Sequence, residues 1–458
     1  PFVSAMRRMA VGVGLLVVIF AGRASDEAGA SEGTVLDAAL ERTLMRVDAP
    51  LAPAPEDLPP SPPEPLVALG RELFFSKALS GGFDVACASC HHPALAGADG
   101  LSLPVGESAV DPNVVGPGRS HDALASRDRK ADGAPNLPRH TPTTFNTALF
   151  QKSLFADGRL FALDGYRADG APEQRTPDSI FSQDDPRAGR DLLATQARFP
   201  VVSPQEMLGF EFAKGATNEA LRDGLAERLA SHAASPEGAG WVSLFRAAFG
   251  DHHDPPETLI TFPRIQEALS AFQTTKIAVD SPWSAYVAGD RDALDDAQKR
   301  GALLFFRSPN EGGAGCATCH VPPLFTDEAF HVLAVPQFGR GLQPDGADLG
   351  RWHVTRRKTD RHRFRTPSLL NVGETAPYGH TGAFLDLEAV IAHHLDPEAS
   401  IDAFDFTFSD NPQLSPHAPR YAGARELTLA ALNSLQVARA QGRSALPEVD
   451  IEIGRAHV

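Results

Sequence analysis

Cysteine is scarce in this chain of 458 residues: there are four, at 87, 90, 316 and 319, so any cysteine chemistry is limited to two pairs. Methionine also numbers four, and none follows Met207. Basic charge is in deficit, with 42 Lys and Arg against 58 Asp and Glu and a net charge of −16. That excess argues against nucleic acid as a partner, because phosphates would be repelled. It permits docking of a basic electron-carrier protein. Runs that alternate like strands are few, and helical patterns joined by Pro- and Gly-rich loops dominate. The fold expected is therefore mainly α.

Long apolar runs are scarce too. Residues 10–22 are the clearest, and they are too short to span a bilayer comfortably. Arg7 and Arg8 precede them and small residues around Ala24 follow, the pattern of a secretory signal starting at Met6. We expect a signal peptide over residues 1–25, an exported, periplasmic protein, and no stable membrane span after cleavage; an uncleaved anchor is the alternative. Residues 26–65 read as an N-terminal helical pattern (34–47) followed by a Pro-rich linker (50–65), with globular sequence from Leu66. Residues 452–458 read as a translated sequencing adapter and carry no functional argument.

The four cysteines fall into two identical frames, Cys87-Ala88-Ser89-Cys90-His91 and Cys316-Ala317-Thr318-Cys319-His320. Cys-x-x-Cys-His is the c-type haem attachment motif. Two thiols three residues apart lie about one helical turn apart and reach both vinyl groups of one haem. The adjacent histidine, His91 or His320, then offers its imidazole to the iron as proximal ligand. A structural zinc, a redox pair or a disulfide would be the alternatives for a single motif. Two motifs that use every cysteine of an exported chain favour two covalently bound haem c groups. His92, beside His91, reads as a supporting or exposed residue.

The motifs sit inside a longer duplication. Gly70-Arg71-Glu72-Leu73-Phe74-Phe75 precedes the first and Gly301-Ala302-Leu303-Leu304-Phe305-Phe306 the second. Downstream, Thr141-Pro142-Thr143-Thr144-Phe145-Asn146 is matched by Thr366-Pro367-Ser368-Leu369-Leu370-Asn371. Two diverged copies of one haem-binding unit account for this, the first over residues 66–278 and the second over residues 283–446.

These pieces, with Pro322-Pro323-Leu324-Phe325-Thr326-Asp327 and Thr375-Ala376-Pro377-Tyr378-Gly379-His380, resemble the bacterial di-haem cytochrome c peroxidase family, MauG-type members included. The resemblance covers residues 66–446. It implies two cytochrome-c-like haem domains in tandem with long loops, related by a pseudo-twofold. The N-terminal haem would be the peroxide site and the C-terminal haem the electron acceptor. It also implies a peroxide pocket with a glutamate ten residues after a glutamine; Gln196 and Glu206 have that spacing. A carboxylate there can carry the proton that peroxide must lose from one oxygen and gain on the other, while the amide holds the peroxide. Without the resemblance, Glu206 reads as an ordinary surface glutamate.

Departures from the family pattern shape the expectation. The histidine that many relatives carry sixteen residues after the first proximal histidine is here Glu107, which favours an open peroxide site. An enlarged loop over residues 108–139 brings His121, and His140 follows it; either is an alternative cap. The family's inter-haem tryptophan is Ala156, in Phe155-Ala156-Asp157-Gly158-Arg159, which weakens the case for fast exchange between haems. The distal ligand of the second haem, a methionine or tyrosine in relatives, stands fourteen residues after the histidine at 380, giving His394, with His393 in reserve. Bis-histidine ligation by His320 and His394 should lower that haem's potential relative to His/Met. The family's interdomain calcium is held by an asparagine and two carbonyls; Thr375 and Pro377 match the carbonyls, and the asparagine position reads His140.

The function expected is reduction of hydrogen peroxide to water with electrons from a small cytochrome c or cupredoxin. Peroxide-dependent oxidation of a partner protein, as in MauG-type members, is the first alternative. A non-catalytic di-haem electron carrier is the second; it would need neither Gln196 nor Glu206. A homodimer is compatible with the sequence.

Overall fold

The structure is a computed structural model that describes residues 32–180, 183–231, 239–251 and 253–444. The expected signal peptide and the adapter-like tail lie outside them. The described part is mainly helical, with two small antiparallel sheets. Among the described residues no helix is long and apolar enough to cross a membrane.

The first unit is built on two crossed helices. Glu64–Phe75 begins on prolines at positions 63 and 65, the latter tolerated in a first turn because its missing N–H has no intrahelical partner. Its Leu66, Leu69, Leu73 and Phe74 recur at helical spacing and are buried against Ile265, Ala268, Leu269 and Phe272 of Phe262–Thr274. Gly70 lets the helices touch, since a Cβ there would lie 1.9 Å from the Ala268 carbonyl oxygen. Asn218–Ser231 and Ala239–Phe249 complete this core through Leu221, Leu225 and Phe245. The repeated glycine, Gly301 on Asp296–Phe306, has nothing within 4 Å of its added Cβ, so the duplicated sequence no longer serves a duplicated contact.

Beyond that core the buried apolar residues divide into smaller clusters, one of which joins Leu103 and Ala134 of the first unit to Phe338, Phe408 and Leu414 of the second. Another is closed by the N-terminal helix Glu32–Leu44, whose Leu40 and Leu44 pack with Tyr286, Leu294 and Leu303. Asp37 on that helix accepts from the Tyr286 hydroxyl at 2.8 Å and pairs with Lys299 at 2.9 Å. Trp283 donates its indole N–H to the Leu51 carbonyl at 2.9 Å. Packed structure therefore begins before Leu66, and the helix in front of the Pro-rich stretch docks on the unit farther away in sequence.

The two units meet at the end of the first, on Ala278. Asn146 and Asn371 hold matched places in the repeat, and both adopt positive φ, 61° and 59°. Each donates its side-chain amide to the same carbonyl, Ala278, at 3.1 and 2.8 Å. The Ala278 N–H returns a hydrogen bond to Asn146 Oδ1 at 2.7 Å. One carbonyl with two lone pairs accepts one asparagine from each unit.

Candidate functional site

Cys87–Cys90 forms one short helical turn, and Cys316–Thr318 a tighter 3-10 turn. In both, the histidine's N–H donates to the carbonyl of the first cysteine, at 2.9 Å for His91 and 3.0 Å for His320. All four cysteines are unpaired and half-buried. His91 Nδ1 lies 3.1 Å from the Gly97 carbonyl, and His320 Nδ1 lies 3.1 Å from the Phe325 carbonyl. A carbonyl fixes the proton on Nδ1 and leaves Nε2 as a ligand. The carbonyls of Pro142 and Pro367 face the same two imidazoles. The Thr-Pro of each repeat thus supports its own proximal histidine. Burial lowers the proton affinity of both rings, His320 to about 4, and keeps them in the neutral form that binds a metal.

On the far side of the second motif, Asp386 caps the helix Leu387–Leu395 by accepting from the Ala389 N–H at 2.8 Å. Its last turn carries the two candidate histidines. His393 is fully buried, and both its nitrogens are engaged, with Ser400 Oγ at 3.1 Å and the Leu333 carbonyl at 2.8 Å. His394 uses only Nδ1, on the Val390 carbonyl at 2.7 Å. Its ring centre lies 6.4 Å from that of His320. Two imidazoles bound through Nε2 to opposite sides of one metal, with bonds of about 2.0 Å, would have centres roughly 6.3 Å apart. The two rings have the separation that a shared iron requires.

Near the first motif, Glu206 sits on a π turn, Pro204–Leu208, a geometry common at functional sites. The turn is gripped from both sides. The Gly81 N–H donates to the Met207 carbonyl at 2.9 Å, and the Glu107 N–H to the Gln205 carbonyl at 3.0 Å. Both contacts need glycine, since a Cβ on Gly81 would lie 1.8 Å from the Leu208 oxygen and one on Gly106 would lie 2.0 Å from the Gln205 oxygen. Burial raises the proton affinity of the Glu206 carboxyl, with Arg159 opposing. The backbone that grips the turn at Glu107 runs on from Val105, whose carbonyl lies 4.0 Å from Cys90 Sγ, on the first motif's side of the molecule. Gln196 ends the helix Leu192–Gln196, capped by Asp191, and is half-buried.

Of the two alternative caps, His140 is engaged by the Leu101 carbonyl, whereas neither ring nitrogen of the buried His121 has a hydrogen-bond partner. Glu107 is buried, accepts from Ser126 Oγ at 2.6 Å and from Ser108 Oγ, and lies 3.7 Å from His121 Nε2. Burial would raise its carboxyl, but the His121, Ser108 and Ser126 contacts outweigh it and hold the group ionised. His140 donates Nδ1 to the Leu101 carbonyl at 2.8 Å, and burial lowers its ring to about 4. That neutral imidazole is a poor stand-in for the oxygen donor that a calcium needs. At the family's asparagine position this chain thus offers a nitrogen ring in place of an oxygen donor, with only the carbonyl positions of Thr375 and Pro377 left of that set.

Sequence reasoning passed over the charges beside Ala156. Asp157 takes Arg139 at 2.7 Å and Arg159 at 3.4 Å, and Arg139 forks onto Asp348 at 2.6 and 3.0 Å. Asp157-Gly158-Arg159 was the available signal, opposite charges two residues apart. His380 stacks on Phe364, with ring centres 3.7 Å apart. Cys319, Asp327 and His331 form a further cluster within 4.8 Å, in which Asp327, 2.7 Å away, is the leading cause that lifts His331 to about 9.

Comparison with known proteins agrees with this geometry. The family described as di-haem cytochrome c peroxidase matches residues 64–292. Methylamine utilization protein MauG of Methylorubrum extorquens is 31% identical over 90% of this chain and 91% of its own. Cytochrome c551 peroxidase of Pseudomonas aeruginosa is 28% identical over 71% of this chain and 70% of its own. A crystal structure of a MauG-like protein associated with microbial copper homeostasis shares the fold, with a TM-score of 0.50 at 24% identity, covering 84% of this chain and 93% of that one. The chain belongs to the di-haem cytochrome c peroxidase family, oxidoreductases that act on peroxide.

Proposed function

We propose that the protein is a periplasmic peroxidase that carries two haem c groups and reduces hydrogen peroxide to water. Cys87, Cys90 and His91 would hold the first haem; Cys316, Cys319, His320 and His394 would hold the second. The haems supply iron that takes up and passes electrons. The observation that carries this reading is Glu206, a carboxyl on a gripped turn whose proton affinity is raised by burial. Reduction of peroxide consumes two electrons and two protons and yields two waters. Glu206 accepts the proton from one peroxide oxygen and returns it to the other, and Gln196 orients the molecule by hydrogen bonds. A small cytochrome c or cupredoxin supplies the electrons.

A second reading, oxidation of a side chain on a partner protein, is favoured by the absence of methionine after Met207 and by the likeness to MauG. Ala156, where relatives carry an aromatic, weighs against it. Purified holoprotein given peroxide and a reduced cytochrome c or cupredoxin tests the choice. Oxidation of the donor with matching peroxide loss is expected. Peroxide consumption that leaves every such donor reduced would overturn the first reading in favour of the second.

A further inference from the structure

The Arg159 guanidinium is held in place by its own neighbours. Its Cζ lies 3.7 Å from the centre of the Phe155 ring. Its backbone N–H donates to Asp157 Oδ1 at 3.1 Å, and Nη1 lies 3.5 and 3.4 Å from the two carboxylate oxygens of Asp157. That leaves Nη2, which stands 3.8 Å from Glu206 Oε1. Asp157 does not absorb the whole charge of Arg159, because Arg139 also claims it at 2.7 Å. Arg139 in turn reaches Asp348 in the second unit. Five charges of alternating sign, Glu206, Arg159, Asp157, Arg139 and Asp348, therefore run from the peroxide-site carboxyl across the junction between units. Asp157 and Asp348 are nearly out of solvent, each with side chains 3% exposed. The charged groups facing Glu206 are Arg159, Asp157 and Arg139.

We propose that Arg159 is the positioning residue of the peroxide site: its cation, anchored through Asp157 and Arg139 to the second unit, holds the Glu206 carboxylate in place and in its ionised, proton-accepting form. This rests on the reading that Glu206 moves the peroxide proton. Burial favours the protonated carboxyl, and a protonated carboxyl cannot take a proton from peroxide. Arg159 offsets burial, as an opposite charge at this distance does. Because both side chains are about one third exposed, the effect sits at the low end of the usual range.

The test compares wild type, Arg159→Gln, Arg159→Lys and Glu206→Gln as holoproteins. Two readouts are followed against pH: the peroxide reaction rate, and the infrared carboxyl band assigned by its loss in Glu206→Gln. The rate should fall as pH drops through the Glu206 pKa. Arg159→Gln should move that fall, and the carboxyl band, upward by about 1 pH unit. Arg159→Lys, which keeps the charge, should cancel most of that shift and leave the profile near wild type. A uniform rate loss at every pH with an unmoved band would overturn the proposal and leave Arg159 a structural residue. An unmoved band in Arg159→Gln with an unchanged rate would overturn it as well. If Glu206→Gln reacts as wild type does, the proton-shuttle reading fails instead, and the band shift still reports whether Arg159 governs the carboxyl.

Discussion

His393 and His394 are neighbours on one helix, yet their hydrogen bonds give them different work. His393 spends both nitrogens on Ser400 and Leu333, whereas His394 keeps one free toward His320. His393→Ala should therefore lower stability by about 1–3 kcal/mol, the cost of stranding buried partners, as read by denaturant unfolding. The second haem's spectrum should not change, and its loss would move the ligand assignment to His393. Glu206→Gln should keep both haems and slow the peroxide reaction by about 10²–10⁴-fold in stopped flow. Gln196→Ala should slow it less, since only orientation is lost; equal effects would count against the division of roles. The two Cys-x-x-Cys-His motifs were legible because they are read by spacing, whereas His394 was reached only through the family resemblance. Arg159 was not legible, because its importance comes from a free Nη2 beside a residue forty-seven positions away.

At the scale of elements, the π turn Pro204–Leu208 depends on two glycines far upstream in sequence. Gly106→Val would drive a side chain into the Gln205 carbonyl, only 2.0 Å from the Cβ position, and push the turn aside. A displacement near 1 Å can cost on the order of 10²-fold in rate. We expect a loss of that order, with both haems retained by mass spectrometry. A rate within a factor of about two of wild type would show that the turn tolerates the shift. The helices Glu64–Phe75 and Asp296–Phe306 were legible from apolar spacing and from the repeat. The turn was not, because Ser203-Pro204-Gln205-Glu206 carries no local signal for it and its shape is set by backbone contacts from residues 81 and 107. The docking of Glu32–Leu44 on the second unit was likewise hidden, since a periodic pattern shows that a helix has an apolar face and not which surface covers it.

Across the whole molecule, the duplication keeps what holds a haem and lets the rest diverge. Both units keep the Nδ1-to-carbonyl bond on the proximal histidine and the asparagine that meets Ala278. What differs is the rest of each unit: the first carries Glu206 on a turn, the second His394 on a helix. Where the family resemblance places a calcium-binding asparagine stands His140, whose imidazole donates to the Leu101 carbonyl. Chelation with EDTA should leave the melting temperature and peroxide rate unchanged, and a fall in either would restore a metal to the junction. The division of labour predicts that the first iron is open and the second closed. Electron paramagnetic resonance of the oxidised resting holoprotein reads both at once. The account predicts one high-spin and one low-spin ferric signal, with His394→Ala converting the low-spin signal to high-spin and sparing the other. Two low-spin signals at rest, or a low-spin signal that survives His394→Ala, would contradict it.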